Sequence, residues 1–376
     1  MQRRRLIQHL GAACAALGLP ALAQAPKPLL LGQSAALSGP ARELGEQFRS
    51  GAMLHFDKVN AGGGVAGRPL ELKSLDDGYE PARCAANTRQ LIDGGAFALF
   101  GYIGTPTSLA ALPLVNAARI PFIAPFSGAE ALRSPFNRLL FHVRASYFDE
   151  TAEIVKQITA VGIKRVAVFY QDDAYGKTGL DGVTRALAPL GLAPAGLGTV
   201  ERNSVDVAAA VKSILAEHPD AIVQISAYKS CAAFIRAARA AGFGGTFYNV
   251  SFVGTRALAE ALGPEARGVV VSQVMPYPFT PTTALAGDYL AAGQAAQGAK
   301  FEPNYGSIEG YVAARTLVEG LRRAGGRLTT DGLIGALESL HELDLGGFYI
   351  DYSARKHTGS HFVELTMLTA NGKVLR

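Results

Sequence analysis

Two Rossmann-like α/β lobes, each a largely parallel sheet with helices on both faces, are the architecture this sequence predicts, on three observations. Short apolar runs alternate with Ala/Leu-rich amphipathic stretches through most of the chain, the pattern of repeated strand–helix–strand units. The length, 376 residues, suits two or three domains of ordinary size. Hydrophobic residues make up 49% and charged residues 18%, so large cores can be filled and long disordered stretches are not expected.

Taken in order, residues 1–23 open with Arg3, Arg4 and Arg5, continue with an apolar stretch from Leu10 to Leu22, and end in the small-residue triplet Ala21-Leu22-Ala23. This is the layout of a secretory signal peptide, with cleavage expected after Ala23. The apolar run is too short, and too broken by Pro20, to span a membrane, which takes about 20 apolar residues. A lipoprotein site at Cys14 lacks the bulky aliphatic residue such sites usually carry, and the three arginines also serve as an ordinary basic start rather than a twin-arginine signal. The removed segment holds three basic and no acidic residues, so the net charge falls from +5 to +2. No Lys/Arg stripe interleaved with aromatics follows and Trp is absent, which argues against a nucleic-acid partner.

Strands are predicted at 28–35, 70–77, 96–102, 121–126, 165–171, 221–226, 246–251 and 268–275. Helices are predicted at 46–61, 107–118, 149–162, 205–217 and 230–242. The glycine-rich stretch 61–67 follows a helix and precedes a strand, so it reads as a helix stop and not as a dinucleotide loop. After residue 278 the pattern turns helical, and it closes in a β-like tail with Asn371-Gly372 as a tight turn. Cys84 and Cys231 fall in separate helical patterns in different lobes, without CxxC or HxxxH spacing, and read as free thiols.

In open α/β sheets, ligands bind beyond the carboxyl ends of the strands, which here means the loops after 102, 126, 171, 226 and 251. Thr105, Thr107 and Ser108 bring three hydroxyls to one helix start, where O–H donors and the helix dipole suit a carboxylate; capping of that same helix is the competing role. Phe126, Ser127 and Gly128 form a second loop of this kind. Tyr102, Tyr175, Tyr228, Phe252 and Tyr305 cluster near strand ends, where aromatic walls could enclose a small molecule or serve packing alone. Enzymatic signatures are missing: no GxSxG elbow, no phosphate loop, no HExxH, and no cofactor motif. His55, His142 and His218 have no acidic partner at useful spacing, and the pairs Asp76-Asp77 and Asp172-Asp173 read as turn and cap residues.

Four segments in this order resemble the type I periplasmic solute-binding proteins, specifically the branched-chain amino acid (Leu/Ile/Val) binding family of ABC importers. They are ALSGPARELGEQFRSGAMLHFDKVNAGGGVAGRPLELKSLDDGYEPARC (36–84), FGYIGTPTSLAALPLVNAARIPFIAPFSG (100–128), AVFYQDDAYGKTGLDGV (167–183) and GVVVSQVMPYP (268–278). The resemblance covers essentially all of the chain after the signal peptide. It implies a Venus-flytrap fold, with lobe 1 at 27–144 plus 277–349, lobe 2 at 145–276 plus 350–376, and three crossing segments near 143–147, 274–279 and 348–353. A ligand touching both lobes favours closure, and a closed monomer would then deliver its solute to the membrane permease subunits of an ABC importer.

By position, the resemblance matches Thr105 to a carboxylate-binding hydroxyl, Phe126, Ser127 and Gly128 to the second carboxylate loop, and Tyr175 to a tyrosine that closes over the ligand. Tyr228 lies at or beside another such tyrosine. The family usually carries threonine at the place of Gly128, and Leu44 replaces a tyrosine wall, for which Tyr102 is a candidate substitute. Tyr79 and Gly104 stand where the family has a disulfide. Ser251, next to Phe252, stands where amino acid binders carry the acid that meets the ligand ammonium, and no Asp or Glu lies between Asn249 and Ala259. Burying an ammonium without a counter-charge costs several kcal/mol, and Glu309 is the candidate to supply one. Two other roles stay open on sequence: a ligand sensor signalling to a regulatory partner, and an exported α/β enzyme acting on carboxylates.

Overall fold

The computed structural model describes residues 27–326 and 328–376, so the expected signal peptide lies outside the described residues. Lobe 1 is built on a parallel sheet in the order β2-β1-β3-β4-β5, from β1 (Leu29–Ala35), β2 (Leu70–Asp76), β3 (Ala98–Phe100), β4 (Phe122–Ile123) and β5 (Leu140–Phe141). Its crossovers are α1 (Arg42–Ala61), α2 (Pro81–Asp93) and α3 (Thr105–Ala118). The expected strand 121–126 is regular only at Phe122–Ile123; Ala124, at φ +51°, interrupts it before Phe126 bridges Ile103.

Lobe 2 begins with α4 (Tyr147–Ala160), whose start is fixed by a reciprocal cap in which Ser146 and Asp149 each accept the other's backbone N–H. Next come β6 (Val166–Gln171), α5 (Ala174–Leu187), β7 (Leu197–Val200), α6 (Ala208–Ala216), β8 (Ala221–Ile225), α7 (Tyr228–Ala240), β9 (Thr246–Asn249), α8 (Thr255–Leu262) and β10 (Val270–Gln273). These five strands are parallel in the order β7-β6-β8-β9-β10. Strand β7 was not expected from sequence; it is a four-residue edge with every second residue exposed, too short to show a period.

The chain then returns to lobe 1 through α9 (Ala284–Gln297), α10 (Tyr305–Ala324), α11 (Thr330–Glu338) and the small hairpin of β11 (Leu343–Asp344) and β12 (Tyr349–Ile350). Helix α10 packs along α1 at glycine separation: a Cβ on Gly310 would collide with the Phe48 carbonyl. Glu309, one residue earlier, is buried. Strands β13 (Glu364–Leu368) and β14 (Val374–Leu375) finish the second sheet antiparallel, and Gly372, at φ +74°, makes the expected turn.

The third crossing falls later than 348–353. Residues 351–359 stay on lobe 1, where the His142 N–H donates to the His357 carbonyl (2.8 Å) and the Gly359 N–H to the His142 carbonyl (2.7 Å). The His357 ring stacks on Phe141 at 3.8 Å, so this segment covers the otherwise open edge of β5 before the chain leaves for β13. Among the described residues Cys84 and Cys231, in different lobes, are buried and unpaired. Among the described residues no helix is long and apolar enough to cross a membrane.

Candidate functional site

Strand order reverses between β1 and β3 in lobe 1 and between β6 and β8 in lobe 2, and loops from these carboxyl ends meet across one cleft. The lobes touch there. Gln171 Nε2 donates to Tyr79 Oη (3.2 Å), Asn203 Nδ2 donates to Glu80 Oε1 (2.7 Å) and the Gly78 carbonyl, and Arg202 pairs with Glu80 (3.2 Å). Tyr228 faces the backbone of Glu43 at the rim.

Within the cleft, Thr105 at the start of α3 and Ser127 on the second loop put their hydroxyls 2.7 Å apart, both fully buried. Gly128 has a packing reason: a Cβ there would lie 2.6 Å from the Tyr147 ring and 2.8 Å from the Tyr147 nitrogen. The hydroxyl a threonine would bring at 128 is thus displaced by a tyrosine from lobe 2, whose own Oη is buried without a hydrogen-bond partner. Burial pushes that phenol up to about 12, so at neutral pH it is a donor. The Tyr79 ring lies against Gly104, so an aromatic–glycine contact stands where the family disulfide was read as absent.

Phe252 is the centre of the aromatic cluster. It is wholly buried, with ring centroids 4.8 Å from Tyr175, 5.6 Å from Phe126 and 5.8 Å from Tyr79, so both lobes contribute to its cage. Beside it a narrow cavity with room for roughly one water is lined by Leu44, Phe126, Ser251, Gln273, Tyr305 and Glu309, among others. Tyr305 turns its hydroxyl to Glu364 (3.3 Å).

Two expected residues lie elsewhere. Tyr102 points into the lobe 1 core, its ring 4.9 Å from Phe122 and its hydroxyl on Thr88 (3.1 Å), so it does not replace the wall at Leu44; Leu44 packs instead on Gly254. Thr107 returns its hydroxyl to the carbonyls of Ile103 and Gly104 and serves only its own helix. As read from sequence, the aspartates are structural: Asp76 accepts the N–H groups of Leu37 and Gly78, and Asp173 caps α5.

Of the charged cluster at the cavity, the sequence singles out Glu309, which lines it, but not Arg144 or Glu150 behind it. Arg144 is fully buried; its guanidinium donates to Ser251 Oγ, lies over the Phe126 ring at 4.6 Å, and stands 3.5 Å from Glu309 and 3.8 Å from Glu150. Glu150 accepts from the Ser251 N–H (2.7 Å), Ser251 Oγ (3.0 Å) and Ser272 Oγ (2.6 Å). Burial pushes the Glu309 carboxyl up to about 7, and the nearby Arg144 only partly opposes this. Burial also raises Glu150, against the same guanidinium. The signal for Arg144 is a lone arginine inside the apolar run FHVRASYF. Among the described residues no cluster suited to a metal occurs.

The family model described as periplasmic binding protein matches residues 28–373. This chain belongs to that family. Within it, the chain is a type I member of the branched-chain amino acid branch, a solute-binding protein of transport rather than an enzyme. The Leu/Ile/Val/Thr-binding protein of Salmonella typhimurium is 24% identical over 355 residues, covering 90% of this chain and 93% of that one. The structure of a possible leucine/isoleucine/valine-binding protein from Rhodopirellula baltica is 33% identical with a TM-score of 0.89, covering 94% of this chain and 97% of the other. A substrate-binding periplasmic protein from Ralstonia solanacearum is 31% identical with a TM-score of 0.87, covering 92% and 99%. This periplasmic binding protein therefore has the two-lobed Venus-flytrap fold expected from its sequence.

Proposed function

We propose that this periplasmic binding protein captures a small carboxylate-bearing solute, an amino acid or an organic acid, between its lobes and delivers it to the permease of an ABC importer. The observation that carries the reading is the paired hydroxyls of Thr105 and Ser127 at the start of α3, 2.7 Å apart, opposite the aromatic cage from both lobes. Hydroxyl donors at a helix N-terminus recognise a carboxylate, and Phe126, Phe252 and Tyr175 enclose an apolar body. Ser251, Tyr228, Tyr305 and Glu309 complete the proposed surroundings, with Gly128 shaped to admit Tyr147. Lobe 1 is taken as 27–144 with 277–359 and lobe 2 as 145–276 with 360–376. The protein acts as a monomer, exported by residues 1–23 and released after Ala23.

The test is thermal unfolding of refolded, ligand-stripped protein against a panel of amino acids and organic acids. Ligand at about 1,000 times its Kd adds roughly 4 kcal/mol, a shift of several degrees. Absence of any shift across the panel sinks the carboxylate reading, and a solute that binds but whose cellular uptake survives deletion of the gene sinks the import role.

A further inference from the structure

We infer that Arg144 is a resident cation of the cleft that occupies the place of a ligand ammonium, so that the solute is a carboxylate without an α-ammonium group. This rests on the proposed function and narrows it.

Both acidic groups that could receive an ammonium are already committed to the guanidinium. Glu150, from α4, reaches the position where Ser251 stands and spends its oxygens there: Oε2 accepts from the Ser251 N–H and Ser272 Oγ, and Oε1 from Ser251 Oγ, 3.8 Å from Arg144. Glu309, which lines the cavity, keeps Oε1 without a hydrogen bond, but that atom lies 3.5 Å from Arg144 Nε. An ammonium reaching it would stand beside a buried guanidinium in a poorly screened interior, where like charges repel strongly.

The donors of this wall also favour an anion. Arg133, behind the second loop, is a further cation that donates to the carbonyls of Ser127, Ala129, Arg144 and Ala145. Arg133 adds a second positive charge near Arg144 and Glu309, partly offset by Glu130 and Asp149. Arg144 Nη2 serves Ser251 Oγ and Nε meets Glu309 only at 3.5 Å, while Nη1 is buried without a hydrogen-bond partner, so the guanidinium keeps a donor for an anion. A zwitterion brings its own cation to this wall, whereas an amine-free acid brings only the anion.

The experiment is calorimetric titration of the ligand-stripped full chain with matched pairs, 4-methylvalerate beside leucine and 3-phenylpropionate beside phenylalanine. At least one acid is expected to bind, and its amino acid at least 100-fold more weakly. In Arg144→Met the acid should weaken at least 10-fold and the discrimination should shrink, while Arg144→Lys keeps the preference; should Arg144→Met fail to fold, the wild-type pairs and Arg144→Lys decide. Amino acids binding as well as or better than their acids overturns the inference and leaves the carboxylate site standing. Binding of neither partner of either pair overturns the inference, while the wider panel decides the carboxylate reading separately.

Discussion

Replacing Glu309 by glutamine should make the protein more stable at alkaline pH while changing little at acid pH. In the wild type, burial between α10 and the cavity lifts this carboxyl from its ordinary 4.5 to about 7, with Arg144, Glu150 and Arg133 as the charged groups facing it. A folded-state value above the unfolded one means that the folded protein holds a proton the unfolded chain has released. The resulting stability is fully present below about pH 4.5, falls as pH rises, and is gone above about pH 7. The full loss is roughly 3 kcal/mol. Glutamine keeps the shape and never ionises, so Glu309→Gln should match the wild type near pH 4.5 and exceed it by up to about 3 kcal/mol near pH 8. With unfolding entropy of roughly 2 cal/mol/K per residue, a chain of this length gains about 4 °C in Tm from that difference. Glu150, also raised, and Asp77, raised to about 6, titrate in both proteins, so the difference between the two curves isolates Glu309. Calorimetric melts of ligand-stripped protein from pH 4.5 to 8 provide the check. A difference that does not change with pH, or a less stable variant at pH 8, refutes this placement of Glu309.

Three further outcomes follow from the site. Thr105→Val combined with Ser127→Ala should weaken a bound carboxylate by 10- to 100-fold in calorimetric titration, about 1.4–2.7 kcal/mol, as expected for hydrogen bonds to a charged group; unchanged affinity would remove these hydroxyls from the site. Gly128→Thr should lower stability by about 1–3 kcal/mol in urea unfolding, because the new Cβ meets the Tyr147 ring, and pairing it with Tyr147→Ala should recover part of the loss. Tyr102→Phe should cost about 1 kcal/mol, the hydrogen bond to Thr88, and leave ligand affinity unaltered; a 10-fold affinity loss would return Tyr102 to the cleft.

Much of the fold was legible because α/β lobes write their period along the chain. The apolar runs that became β1, β6 and β8 are continuous, flanked by turn signals and followed by amphipathic helices, so their bounds were read to within about a residue. Strands β5 and β7 were not, since two to four residues carry no period. The late third crossing was hidden for another reason: His357 reaches Phe141 across more than two hundred residues, and nothing near either residue announces the contact.

The site divides along the same line. Thr105, Ser127 and Phe126 were readable because they sit in loops just beyond strands, where chain order alone brings them to the cleft. Tyr102 and Thr107 lie within a few residues of them and are not in it, because a one-residue step after a strand turns a side chain to the opposite face, and a threonine inside a helix's first turn can return its hydroxyl to the backbone. The charged wall draws one group each from the first crossing, α4 and α10, separated by 6 and 159 positions on either side of Glu150. Read singly, Ser251 suggests that an ammonium site has been lost. Folded, Glu150 reaches Ser251 and carries Arg144 with it, so the cleft keeps an acid at that place and fills it with its own cation. A change of one loop residue can therefore alter ligand charge only together with its buried partners. Restoring an acid at 251 alone would add a third carboxylate to the wall and would not by itself recreate an amino acid site.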